Sequence, residues 1–384
     1  MTKKAQNKTL SLKKPVSLLP EYQVFDTLPD LSAVKDHPHY QLFEMLSYMR
    51  PHESEHEKLW IERYLLPVVG HSDKIGNYHL QIPHPDGSQP RVLFSGHTDT
   101  VHRSSGFQRL EYDAERQILR ASNSNCLGAD DTTGVYIMLK MIEAKVPGYY
   151  IFHRGEERGG IGSGWLAQNT PEVLEHIDIA LAFDRMGTSD VITHQSSGKC
   201  ASDDCANQIA AELCAHSDGK IIMMPCDQGT YTDTAEYNHL VSECFNLSVG
   251  YERQHTANES QDMRFLDVLL QACLKMDWAN LPASRNVSDT GYSWYSDRYG
   301  GIMATEDRIL YAIANYPLLF ARMIEDMEIF SAEDLEEEIQ EMELSEKAFS
   351  SYNDDGFTLD EKQVSGYDWG LDWDDDSQGW VEPS

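Results

Sequence analysis

Between residues 37 and 280, short apolar and often β-branched runs alternate with helix-length segments, and no other feature limits the fold so strongly. The strand candidates are 91–95, 149–152, 179–183, 220–224 and 244–249. The helices expected before or between them are 54–66, 132–143, 162–168, 203–216 and 263–278. This rhythm, with no internal repeat, predicts an α/β domain around a mixed, largely parallel central sheet flanked by helices. Open α/β sheets bind ligands at the carboxyl ends of their strands, so the residues that follow strand ends are the ones to inspect.

Those positions carry metal chemistry. His97-Thr98-Asp99 follows the first strand, Glu156-Glu157 the second, Asp184 the third, and His255 lies shortly after the last. Asp130-Asp131 opens the helix over 132–143. Neutral imidazole suits zinc, which makes His97 a natural ligand. Asp99, two residues along an extended end, falls on the same side and could take the other ring proton of His97. A helix needs one capping carboxylate, so of the Asp130-Asp131 pair one is spare, and Asp130 is the choice for a bridge between two metals. At a turn, one of two adjacent glutamates can bind metal while the other reaches a water; Glu156 is the candidate base and Glu157 the ligand. Each segment has a plainer reading. His-Thr-Asp is also a polar strand cap, Asp131 or Thr132 an ordinary N-cap, and Glu156-Glu157 a solvated loop pair between Arg154 and Arg158. His239 is the rival of His255 as the last ligand.

Taken together, the segments VLFSGHTDTVH, GADDTTG, HRGEERGGIGS and AFDRMG resemble the co-catalytic dizinc exopeptidase clan, which includes the M20, M28 and M42 peptidase families, with peptidase T-like proteins among the M20 members. The resemblance covers roughly 37–280 and implies a zinc-exopeptidase-like domain. It implies His97, Asp130, Glu157, Asp184 and His255 as ligands of two zinc ions, with cobalt or manganese also suited. Glu156 would be the base and Asp99 the orienter, with a cis peptide after the bridging carboxylate. The chain departs from M20 in one respect: only 70 residues separate Asp184 from His255, and they already alternate helix and strand. That leaves no room for a lid domain, and the stretch GTYTDTAEYNHLVSECFNLSVGYERQHT is instead similar to the lidless M28 and M42 arrangement. Without a lid histidine, Tyr251, Arg253 or Tyr231 is left to polarise a substrate carbonyl. The activity implied is hydrolysis of a terminal peptide bond, an aminopeptidase before a carboxypeptidase. The alternatives are an N-acyl amino acid deacylase on the same site and a noncatalytic interaction protein.

The flanks read differently. Residues 1–36 look like a flexible arm without the apolar core of a secretory signal, 281–349 like a linker and helical extension, and 350–384 like an acidic, disordered tail. The formal charge is -32, about half of it in residues 331–384, where 18 acidic residues face two lysines. Such a field argues against nucleic acid or an anionic membrane as partner and leaves a peptide or acylated amino acid as substrate. The C-terminal extension could hold another copy or a protein partner. Seven cysteines without a CxxC pair fit reduced thiols in a cytoplasm. Cys200 and Cys205 are a remote candidate pair.

Overall fold

The computed structural model describes residues 23–288, apart from 70 and 197, together with the backbone of a short hairpin at 372–374 and 379–381. An eight-stranded mixed sheet organises the first unit. In chain order its strands are β1 (His71–Ser72), β2 (Tyr78–Ile82), β3 (Val92–His97), β4 (Gly148–His153), β5 (Ile179–Arg185), β6 (Asp190–Ile192), β7 (Met224–Cys226) and β8 (Glu243–Ser248). They lie in the order β7-β6-β8-β5-β3-β4-β2-β1. The central strands β8, β5, β3 and β4 are mutually parallel, whereas β2 joins β4, and β6 joins β8, antiparallel. A separate four-stranded antiparallel sheet contains Arg109–Asp113, Ile118–Ser122, Ser260–Asp262 and Tyr251–Glu252.

The central strands are apolar on both sides because helices cover both faces. Phe94, Tyr150, Phe152, Leu181, Phe183, Phe245 and Leu247 face one core. Their neighbours Leu93, Ile151, Ala180 and Cys244 face the other. The first core contains residues of α1 (Tyr40–Leu46), α3 (Ala129–Glu143), α5 (Asp203–His216) and α6 (Met263–Cys273). The second contains Leu166 and Ala167 of α4 (Ile161–Asn169). Beneath the strand ends, Phe94 packs on Tyr150, Phe183 and Trp278 with ring centroids 5.1, 5.9 and 5.0 Å apart. Each such pair contributes about 0.5–1.5 kcal/mol beyond area burial, so the three strands that carry site residues are tied together just below the rim.

Local chemistry explains most helix boundaries. The Ser54 hydroxyl accepts the Glu57 N–H at the start of α2 (Glu55–Trp60), which runs on through a π-turn at Ile61–Leu65. Ser202 caps α5 and Asp262 caps α6 in the same way. The helix expected over 263–278 ends at Cys273; Trp278 lies in a 3-10 turn and its indole N–H donates to the Cys273 carbonyl at 2.9 Å. The strand expected over 220–224 is displaced to Met224–Cys226, because only those residues meet the three-residue β6.

Part of the arm expected over 1–36 is packed: Phe25 bridges Phe107, and Phe25, Leu28, Leu31 and Val34 lie against the first core. At the other end Leu281 and Arg285 are buried. Of the linker and helical extension expected over 281–349, residues 289–349 lie outside the described residues. Within the expected acidic tail, Asp372–Asp374 pairs antiparallel with Gly379–Val381, and the rest of it is also outside the described residues. All seven cysteines are free, Cys200 and Cys205 buried among them. No helix among the described residues is long and apolar enough to cross a membrane.

Candidate active site

Parallel β3, β4, β5 and β8 all end on one rim, and the chain leaves each of them with a polar residue. His97 closes β3, Asp184 lies near the end of β5, Glu156 and Glu157 occupy a 3-10 turn after β4, and His255 follows β8. Gly155 makes that turn possible. Its φ is +68°, and a Cβ there would stand 2.9 Å from His52 Cε1.

Asp130 is the centre of the cluster. Its φ and ψ of -76° and 108° are not helical, and the Asp130–Asp131 peptide is cis. Asp131 performs the capping: its Oδ1 accepts the Gly134 N–H at 3.1 Å, and its Oδ2 accepts the His97 N–H at 3.1 Å. Asp130 is left free to face the site. Its Oδ1 lies 3.1 Å from His97 Nε2 and its Oδ2 3.1 Å from His255 Nε2. On the first side Asp184 Oδ1 is 3.9 Å from His97 Nε2; on the second, Glu157 Oε1 is 3.0 Å from His255 Nε2. Two triads therefore share one carboxylate: His97, Asp130 and Asp184, and Asp130, Glu157 and His255. Glu156 Oε2 stands 4.0 Å from His97 Nε2. His239, the rival histidine, is exposed on a turn and belongs to no group of metal-capable side chains among the described residues.

Further contacts hold these groups in place. Thr232 Oγ1 donates to Asp184 Oδ2 at 2.8 Å, and the Tyr251 hydroxyl donates to Asp184 Oδ1 at 3.0 Å. Tyr251 thus spends its only proton on Asp184, and the Tyr231 hydroxyl donates to Glu236 Oε1 at 2.9 Å. Neither tyrosine is free to polarise a substrate carbonyl in this geometry; Arg253 is exposed. The Asp99 carboxylate is further from His97 than its own main chain is. His97 Nδ1 is 3.0 Å from the Asp99 carbonyl oxygen and 3.6 Å from Oδ1, which instead accepts the Glu156 N–H at 3.2 Å. Asp99 therefore links the His97 segment to the Glu156 turn.

Two further residues matter as much. Glu259, 1% exposed, accepts the N–H groups of Leu127, Gly128, Ala129 and Asp130 at 2.8–3.2 Å. It fixes the turn that presents Asp130. Asp233, also 1% exposed, has no hydrogen-bond partner on either oxygen, and burial pushes its pKa up to about 7. Its position directly after Thr232 was the only sequence signal for it.

The electrostatics fit a cation. Desolvation works against protonation of buried His97 and, although its side chain is 48% exposed, of His255. Even so, the Asp130 and Asp99 carboxylates hold His97 well above the ordinary imidazole range, and those of Asp130 and Glu157, 3.1 and 3.0 Å from Nε2, push His255 up to about 12. Burial and neighbouring carboxylates raise Asp184 and Glu156 well above the ordinary range. Glu157 Oε1 lacks a hydrogen bond although His255 Nε2 is 3.0 Å away. Without a metal, the imidazoles must carry protons to offset the carboxylates. Divalent ions would replace those protons, and the donor set of imidazole and carboxylate suits zinc, manganese or cobalt.

No protein-family model matches the chain, and no curated protein is significantly similar to it. Among solved structures, a tripeptidase from Staphylococcus aureus and the aminopeptidase PepT from Bacillus cereus each align with 61% of this chain and 95% of their own. Both are 15% identical to it with a TM-score of 0.50. The likeness is one of fold, and it bears out the architecture that the motif resemblance implied.

Proposed function

We propose that the chain is a metal-dependent exopeptidase, an aminopeptidase in the first instance, that hydrolyses a terminal peptide bond. The observation that carries this reading is the pair of triads joined by Asp130, with the Glu156 carboxylate beside them. His97, Asp130 and Asp184 would hold one ion, Asp130, Glu157 and His255 the other. When bound, two divalent ions supply Lewis acidity toward a carbonyl and lower the pKa of a water. The chain's own residues do the rest. Glu156 takes a proton from the attacking water as its oxygen adds to the amide carbon, then donates that proton to the leaving amine nitrogen as the C–N bond breaks. Burial, together with Glu157, Asp233 and Asp130, holds Glu156 well above the ordinary carboxylate range despite the opposing effect of His97. That direction suits a group that must both accept and return a proton near neutrality. Thr232 and Tyr251 keep Asp184 aimed inward, and Asp99 keeps the Glu156 turn against His97.

The cluster of carboxylates favours a substrate with a free ammonium terminus, and two proteins that share the fold carry the names tripeptidase and aminopeptidase. The N-acyl amino acid deacylase is the second reading, since it needs the same groups and differs in the pocket. The test is release of amino acids from a mixed peptide library, and separately from N-acetylated amino acids, by zinc-loaded wild type and Glu156→Ala. Peptide cleavage from the amino end that is lost in Glu156→Ala, with metal content unchanged, is expected. Cleavage confined to acylated substrates would move the assignment to the deacylase, and metal lost along with activity would remove Glu156 from the role of base.

A further inference from the structure

On the far side of Asp99 from the two triads lies a second group of ligand atoms. His52, Glu57 and Asp99 each bring one donor within 4.8 Å of the others. The group is buried: Glu57 is 4% exposed, Asp99 0%, and the His52 side chain 9%. His52 Nδ1 and Asp99 Oδ2 face each other 4.0 Å apart, beyond hydrogen-bond distance, and neither has any hydrogen-bond partner. Stranded buried polar atoms of this kind destabilise a fold by about 1–3 kcal/mol each, so both call for a ligand. Glu57 is already aimed: Oε1 accepts the Thr98 hydroxyl at 2.7 Å and Oε2 the Glu53 N–H at 2.5 Å, which leaves a lone pair on each oxygen.

The buried charge points the same way. Arg50 is the nearby cation, and its guanidinium hydrogen-bonds to Thr132 Oγ1 and stacks on Trp60 at 4.2 Å. Its field is divided among Glu57, Asp99 and Asp131, and its Nε and second terminal nitrogen form no hydrogen bond with any of them. Two carboxylates around an imidazole therefore keep a negative excess that Arg50 only partly offsets.

We propose that His52, Glu57 and Asp99 form a third divalent-cation site, separate from the two triads. An ion equidistant from three donors no more than 4.8 Å apart lies within about 2.8 Å of each, and closure by several tenths of an ångström reaches the bond lengths of zinc or manganese. One imidazole with two carboxylates is a donor set that either ion accepts. His52 is only partly covered, and Glu53 beside it is exposed. The ion takes Asp99 Oδ2, whereas Oδ1 already serves the Glu156 N–H. His52 also packs against Gly155, so the site ties the turn that carries Glu156 to the segment that carries His97.

The test is metal content of the full chain after equilibrium dialysis against micromolar free zinc, and again against manganese, for wild type, His52→Ala and Glu57→Gln, with folding checked by circular dichroism. Each variant should carry one ion per chain fewer than wild type, whatever number the Asp130 triads and the acidic tail hold. That difference separates this proposal from the functional one: removal of the triads' ions by Asp130→Asn should leave the His52-dependent ion in place. Equal counts in wild type and His52→Ala would overturn the third site, and if Glu57→Gln fails to fold, His52→Ala alone decides.

Discussion

Replacement of Glu259 by alanine tests the argument that one buried side chain fixes the turn presenting Asp130. The carboxylate takes two N–H groups on each oxygen: Leu127 and Gly128 on Oε2, Ala129 and Asp130 on Oε1. Hydrogen bonds to a charged group contribute about 1.5–3 kcal/mol each. Full loss of four, about 6–12 kcal/mol, would be comparable with the whole stability of a domain, about 5–15 kcal/mol. Water entering the space left by the side chain will satisfy some of the donors, so about 3–6 kcal/mol is expected. Glu259→Gln keeps one carbonyl oxygen and hence two of the four bonds, and should lose about half as much. The assay is urea unfolding of metal-free protein, with the midpoint shifted and the slope unchanged. A zinc titration should show affinity lower by about 10–100-fold, the usual effect of removing support behind a ligand. A loss below about 1 kcal/mol in Glu259→Ala would refute the reasoning, because the turn would then be holding its own shape.

Asp130→Asn should release ions from both triads together, since Asp130 belongs to both, whereas Asp184→Asn should affect one triad first; metal analysis of the two variants distinguishes a shared from an unshared ligand. Metal-free protein should lose stability as pH rises from about 4 to 7. The folded-state pKa of Asp233 is raised from 3.8 to about 7, so its contribution is fully present below the lower value and is lost as pH passes the higher. Saturating zinc should offset the loss at neutral pH, and Asp233→Asn should make the metal-free profile shallower without abolishing its slope, because burial raises Glu259 and Asp184 as well; a flat wild-type profile between pH 4 and 7 would contradict the burial argument.

The alternation of segments was enough to predict the sheet because its four central strands are continuous apolar runs with both faces covered, and such runs are visible without knowledge of their partners. Helix starts were legible for the same local reason: Ser54, Ser202 and Asp262 cap helices within their own turn. The strands outside those four were not. β2 and β7 owe their existence to neighbours in the ladder, and 220–224 slid to Met224–Cys226 because register is a property of the pair. In the site, the sequence held the order of His97, Asp130, Glu156, Glu157, Asp184 and His255 and, through the strand-end rule, their common rim. Tertiary structure alone decided that Tyr251 is committed to Asp184 and that Glu259 grips a turn some 130 residues earlier in the chain. It likewise set His52 and Glu57 behind Asp99. The reason is physical: periodicity and capping act within a few residues, whereas satisfaction of a buried donor or charge depends on which distant segment the packed core brings against it.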